Sequence, residues 1–227
     1  MAFQHILRSA RHPITRWLLL VIGAFLGLQL FFLTKIALMA RIAPESTAFE
    51  RSQAWQIFQA KQRLPWRQTW VPYSKISDQL KRAVIVSEDD IFAQHDGVQW
   101  EAIEKAWTKN AKAELQASRA AQKNPAVKVV GGSTITQQLA KNLFLAGERT
   151  FLRKGQEFVL TLMLEALLPK QRILEIYLNH VEWGEGIFGA EAAAQHYFSK
   201  SAYQLSAWEA GRLAVMLPRP KHYQKFP

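Results

Sequence analysis

Glu88 and Asp89 come directly after the apolar run Ala83-Val84-Ile85-Val86, in a stretch from Ser87 to Gly97 that carries five ionisable side chains. If Leu80 to Glu88 is helical, these carboxylates stand at the negative end of the helix dipole, where a carboxylate holds a proton more tightly. A general base wants that property. Four apolar residues in a row fit a short buried strand equally well, so the residues alone leave helix and strand open. A second group, Arg153, Glu157, Thr161 and Glu165, recurs every four residues and draws one polar line along an otherwise apolar stretch. Two readings of it are evenly matched. One is an i, i+4 ion pair worth roughly 0.3 kcal/mol; the other is a second carboxylate facing a cleft beside Arg149, Arg153 and Lys154. A third group lies in "GGSTITQQLAKNLFL", where Thr134, Gln138 and Lys141 share one stripe at about 100° per residue. The Gly131-Gly132 turn ahead of it would offer free N–H groups to an anion, although most capped amphipathic helices bind nothing. His95, His180 and His196 lack metal-ligand spacing and read as hydrogen-bonded structural residues. Glu175 and Glu191 read as surface or structural.

Helices must position these groups. From Ser74 onward Ala, Leu, Glu and Lys are frequent, β-branched alternation is rare, and Gly or Pro supply the stops. Thr134 with Gln137 three residues on makes a capping box; Ile135, Leu139, Leu143 and Phe144 form the apolar side, and Gly147 supplies a stop. A second helix runs through "ERTFLRKGQEFVLTLMLEALLPK", closed by Pro169. A third reaches about Trp183, before a turn through Gly184, Gly186 and Gly189 and a further helix. Lys109 to Lys128 is polar, small and basic, and reads as a solvated helix and loop, with a mobile flap as the other reading.

With 227 residues and 49% hydrophobic content, the chain can hold one sizeable domain plus appendages. Its net charge is +11, of which Met1 to Pro44 carries +5 and no acidic residue. Trp17 to Leu33 is uncharged over 17 residues, and with Thr34 to Ala40 the apolar stretch reaches 24, interrupted by Lys35. At ~1.5 Å per residue this brackets the ~30 Å hydrocarbon thickness. The expectation is a spanning helix with Lys35 snorkelling to the far interface. Arg8, Arg11 and Arg16 would stay cytoplasmic and leave the bulk of the chain outside. A cleaved signal peptide is the competing reading, against which stands the lack of a clear small-x-small site after the run. The expected organisation is 1–16 as a cytoplasmic basic tail, 17–40 as the transmembrane helix, 41–73 as a linker and membrane-proximal segment, and 74–227 as the functional domain. In the linker, Trp55, Trp66 and Trp70 fit a membrane interface or the edge of a core equally well. With no cysteine, disulfides, thiolate catalysis and cysteine-ligated metals are excluded.

Four stretches, in this order, resemble the peptidoglycan glycosyltransferases of family 51. They are Glu-Asp-x-x-Phe-x-x-His-x-Gly at Glu88 to Gly97, Gly-Gly-Ser-Thr-Ile-Thr-Gln-Gln-Leu-x-Lys-Asn at Gly131 to Asn142, Arg-Lys-x-x-Glu at Arg153 to Glu157, and Ile-Leu-Glu-x-Tyr-Leu-Asn at Ile173 to Asn179. The family occurs as the transglycosylase domain of class A penicillin-binding proteins and as free-standing membrane-anchored enzymes. The resemblance covers about Ser74 to Pro220. No Ser-x-x-Lys occurs, so the expectation is a monofunctional member without a transpeptidase domain.

The resemblance implies a mainly α, lysozyme-like fold with a small membrane-proximal jaw lobe. It implies polymerisation of lipid II into the growing glycan chain, at the outer side of the bacterial cytoplasmic membrane. By family position Glu88 is the general base and Glu157 the second essential glutamate. Thr134, Gln138, Lys141, Arg149, Arg153 and Lys154 would bind substrate and its diphosphate, and Asp89, Phe92, His95 and Gly97 would hold the first motif in shape. The family leaves room for a divalent metal, magnesium or manganese, at the diphosphate, and for partners in cell division or elongation. A glycan hydrolase or lytic transglycosylase is the runner-up. It needs a protonated acid at the scissile oxygen and has no use for a basic cradle. A non-catalytic membrane-anchored adaptor would need neither Glu88 nor Glu157. Nucleic-acid binding has no supporting motif, and anionic headgroups account for the charge.

Overall fold

The computed structural model describes residues 13–100, 104, 108, 133–145 and 150–225. The chain divides into two compact units, Met1–Ile42 and Ala43–Pro227. The first is built on helix α1, Pro13–Met39, whose 27 residues are long and apolar enough to cross a membrane. Trp17, Leu18, Phe25, Leu26 and Phe31 are all exposed on it, a surface suited to hydrocarbon rather than water. The Thr34 hydroxyl donates to the Leu30 carbonyl at 2.8 Å, so the helix satisfies its own polar group.

The second unit is mostly helical. Helix α2, Ala48–Lys61, starts at a capping box of Thr47 and Glu50. Strand β1, Arg67–Gln68, pairs parallel with β3, Ile187–Phe188, which pairs antiparallel with β2, Glu182–Gly184. The stretch 43–72, a linker by composition, is therefore built into the folded unit. Trp66 stacks on Phe188 with centroids 4.5 Å apart, and Trp70 lies over His180, while Trp55 stays exposed against Phe58.

The run Ala83 to Val86 lies in a helix, not a strand. Helix α3, Asp78–Glu88, is capped by Ser77 and buries Leu80 and Val84 while Val86 points to solvent. It packs against α8, Ala207–Met216. Helix α4, Ile135–Phe144, has the expected Thr134–Gln137 capping box and packs on α5, Phe151–Leu167. α6, Lys170–His180, follows Pro169, and α7, Ala190–Phe198, and a short α9, Pro220–Tyr223, complete the described helices. Ile135, Leu139, Leu160, Leu164, Ile173 and Ile176 form the core between α4, α5 and α6. Two helix ends differ from expectation. α6 stops at His180 rather than near Trp183, because Val181 turns extended and Glu182–Gly184 gives its backbone to β3. α4 stops at Phe144; Gly147 and the Lys109 to Lys128 segment lie outside the described residues. Gly186 of the β2–β3 turn has φ +75° and its Cβ position lies 2.0 Å from the Pro65 carbonyl oxygen, so only glycine fits there.

Glu182 on β2 is buried, and burial pushes its carboxyl from 4.5 up to about 7, partly offset by Lys221 at 3.5 Å. The folded state thus holds this proton more tightly than the unfolded one, so stability falls as pH rises from 4.5 to about 7 and is flat above. Glu182→Gln is expected to remove roughly 2–3 kcal/mol of that loss. Its melting temperature should exceed the parent's at pH 8 by roughly 5 °C or more and match it at pH 4.5. Parallel curves at both pH values would contradict this.

Candidate active site

Glu88 is the last residue of α3 and half-buried. Its Oε2 accepts a hydrogen bond from Gln138 Nε2 at 2.8 Å, across from the first turns of α4. The other end of that amide, Oε1, accepts from the Tyr177 hydroxyl at 3.1 Å. Tyr177 is 1% exposed. Burial first, then the nearby carboxylates of Glu88 and Asp89, push its hydroxyl well above the usual 10, so it stays a donor.

Asp89, one residue on, has a different task. Its side chain is buried; Oδ1 accepts from His95 Nε2 at 2.8 Å and Gln99 Nε2 at 2.6 Å, and Oδ2 from the backbone N–H of Ile135 at 3.0 Å. The Gly97 N–H donates to His95 Nδ1 at 2.9 Å, which leaves Nε2 as the donor to Asp89. Asp89 therefore sets the protein's own carboxylate against the first N–H of α4, and the Gly131-Gly132 turn lies outside the described residues. Thr134, expected among the substrate-binding residues, is 2% exposed and caps α4. Its hydroxyl donates to the Gly97 carbonyl at 2.6 Å and accepts from the Gln137 N–H at 3.1 Å. Gly97 has φ +85°, and its Cβ position lies 2.7 Å from Thr161 Cγ2 and 2.8 Å from Glu165 Cγ. Only a residue without a side chain lets this loop lie flat on α5. Phe92 is buried, its ring centroid 6.3 Å from that of His95.

The polar line on α5 splits into two halves. Glu157 is 4% exposed and takes Lys154 Nζ on Oε1 and Arg153 NH1, at 3.5 Å, on Oε2. Burying that carboxylate holds two cations at the start of α5, with the Lys154 side chain 54% exposed. Lys141 is exposed on α4, and Arg149 lies outside the described residues. Glu165 belongs to the other half: its Oε1 accepts from Thr136 Oγ1 at 2.6 Å and from Lys170 Nζ at 2.8 Å. Glu165 is thus held in structural contacts, while Glu157 carries the cations.

Sequence reasoning passed over Lys170. Its ammonium donates to the His95 carbonyl and to Glu165, and sits 4.6 Å from the Phe92 ring centroid. One signal was legible: a cation in the first turn of a helix, directly after Pro169, opposes the helix dipole and calls for a specific partner. Lys170→Met is expected to cost about 2 kcal/mol, read as a lower denaturant midpoint, with Lys170→Arg recovering part of it. A midpoint equal to the parent's would show that the clamp contributes nothing. Glu175 and Asn179, one turn apart on α6, hold the backbone of the preceding segment. Glu175 accepts from the Tyr73 N–H at 2.8 Å, while Asn179 exchanges hydrogen bonds with both backbone groups of Val71 at 2.9 Å.

Among the described residues no three His, Cys, Asp or Glu side chains gather closely enough to hold a metal ion. Both oxygens of Glu157 already face cations.

Glu88 is thus a half-buried carboxylate held by an amide of α4, and α5 presents two cations on the buried Glu157. Residues 56–227 match the family model described as transglycosylase. A biosynthetic peptidoglycan transglycosylase of Burkholderia thailandensis is 50% identical over 221 residues, covering 95% of this chain and 81% of the relative. One of Herminiimonas arsenicoxydans is 51% identical over 208 residues, covering 91% and 85%. The chain belongs to the transglycosylase family, with its lysozyme-like helical domain. Its activity is that of a peptidoglycan glycosyltransferase, serving the building of cell-wall glycan.

Proposed function

We propose that the chain polymerises lipid II, a disaccharide-pentapeptide carried on undecaprenyl diphosphate. Glu88 takes the proton from the 4-hydroxyl of the acceptor N-acetylglucosamine as that oxygen bonds to the donor's anomeric carbon. The bond from that carbon to the diphosphate oxygen breaks, and undecaprenyl diphosphate leaves with the electron pair. Attack opposite the leaving group turns the α-linkage into a β-1,4 link. A diphosphate needs its charge neutralised rather than a proton from an acid. Arg153 and Lys154 supply that charge on α5, together with Lys141 and Arg149, and Glu157 orients the first two. Gln138 holds Glu88 in place. The helix α1 keeps the enzyme at the membrane that holds its substrate, with the folded unit on the periplasmic or external side of the cytoplasmic membrane.

The observation that carries this reading is the burial of Glu157 between Arg153 and Lys154, since a hydrolase has no use for a cradle of cations. The detergent-solubilised chain, given purified lipid II, is expected to make glycan, and Glu88→Gln to make none detectable in the same time. Release of sugars from finished glycan without polymerisation would favour the hydrolytic reading. Neither activity in a folded sample would favour an adaptor.

A further inference from the structure

We propose that Tyr177 is a positioning residue for the reaction: its hydroxyl locks the Gln138 amide in the orientation that turns N–H, and not carbonyl oxygen, towards Glu88. The inference rests on the reading of Glu88 as the base. A carboxamide has nearly the same shape whichever way it faces, so turning it over exchanges its oxygen and nitrogen without steric cost. Only the partners decide. Here Gln138 Oε1 meets the Tyr177 hydroxyl at 3.1 Å, while Nε2 meets Glu88 Oε2 at 2.8 Å and the Ser133 carbonyl at 3.5 Å. Turned over, the amide would set its oxygen against the Glu88 carboxylate, two acceptors face to face, and that contact would push the base away from its place.

The strength of such a lock depends on how firmly Tyr177 itself is held. Its ring is 1% exposed in the core face of α6. Two residues to either side, Glu175 and Asn179 tie the same helix to the backbone of Val71 and Tyr73. The hydroxyl makes no other hydrogen bond among the described residues, so its single hydrogen goes to Gln138. Through one rigid amide the core thereby fixes Glu88 Oε2. The other oxygen, Oε1, makes no hydrogen bond among the described residues and is left for the acceptor hydroxyl. Nothing in the spacing of residues 88, 138 and 177 announces this relay, because each belongs to a different helix.

The test is a double-mutant cycle on the full chain with lipid II as substrate. Tyr177→Phe is expected to lower kcat about tenfold with KM unchanged, since the lock acts on the reacting geometry and not on affinity. In a Gln138→Ala background the same change should have no further effect, because Tyr177 acts only through that amide. Equal losses in both backgrounds, as a purely structural tyrosine would give, or an unchanged kcat in Tyr177→Phe, would overturn the proposal. Gln138→Glu leaves Tyr177 untouched and sets an oxygen opposite Glu88 whichever way the group turns. It should lose at least as much kcat as Tyr177→Phe, and wild-type turnover would count against the lock even if Tyr177→Phe failed to fold. Glu88→Gln in the same series separates the two ideas. A fully active Glu88→Gln removes the base reading, whereas independent losses beside an inactive Glu88→Gln remove only the lock.

Discussion

Glu88→Gln is expected to reduce glycan polymerisation by about 10²- to 10⁴-fold and to shift the melting temperature by no more than about 2 °C. The substitution is nearly isosteric. Its carbonyl oxygen can still accept the hydrogen bond that Gln138 Nε2 gives to Glu88 at 2.8 Å, so the end of α3 and the start of α4 keep their relation. What is lost is the capacity to take a proton. A base acts as the new bond forms, so the loss should fall on kcat and leave KM nearly as it was. Turnover within tenfold of the parent, measured on purified lipid II, would mean that the proton goes elsewhere and would unseat the assignment.

Asp89→Ala is expected to be the most destabilising single change at the site, by roughly 3–5 kcal/mol, or about 10 °C in melting temperature. The neighbouring acid has the opposite character to Glu88. Three donors converge on its buried carboxylate: His95 Nε2, Gln99 Nε2 and the Ile135 N–H. Alanine leaves them without a partner in a place closed to water, and each unpaired group costs its own desolvation. Asp89→Asn keeps one acceptor oxygen and should lose less. Amide exchange at Ile135 reads the local consequence directly, because that N–H would be freed in the alanine variant and held in the parent. Polymerisation should fall along with stability, since Gln138 is carried by the helix whose first turn Asp89 pins. An Asp89→Ala chain that melts with the parent would refute this division of labour between adjacent acids.

The family resemblance implies that division, but the chemistry and spacing of the two residues do not. Glu88 and Asp89 have the same chemistry and adjacent positions, and the residues alone mark them only as a pair. The fold separates them, because α3 ends there: Glu88 still faces α4 from the last helical turn, while Asp89, already out of helical geometry, swings beneath the start of α4. Thr134 shows the same limit from the other side. Its capping box with Gln137 spans three residues, so local spacing reveals it. Its bond to the Gly97 carbonyl joins residues 37 apart, and no local spacing reveals it.

Features that depend on near neighbours in the chain were thus determined by the sequence itself. The uncharged run of 17 residues forms a helix long and apolar enough to cross a membrane. Capping boxes, amphipathic stripes and the ion pairs of Glu157 with Arg153 and Lys154, three or four residues off, follow from helical periodicity. Only the tertiary structure decided which carboxylate is held out and which is buried, that 43–72 is part of the folded unit, and that Lys170 and Tyr177 reach the loop and amide beside Glu88. Those outcomes rest on hydrogen bonds between groups 39 to 111 residues apart, such as Tyr177 to Gln138, Lys170 to His95 and Gln68 to the Asn179 carbonyl. Spacing carries no trace of such bonds, because they exist only once the hydrophobic effect has packed the helices and brought their polar edges into register.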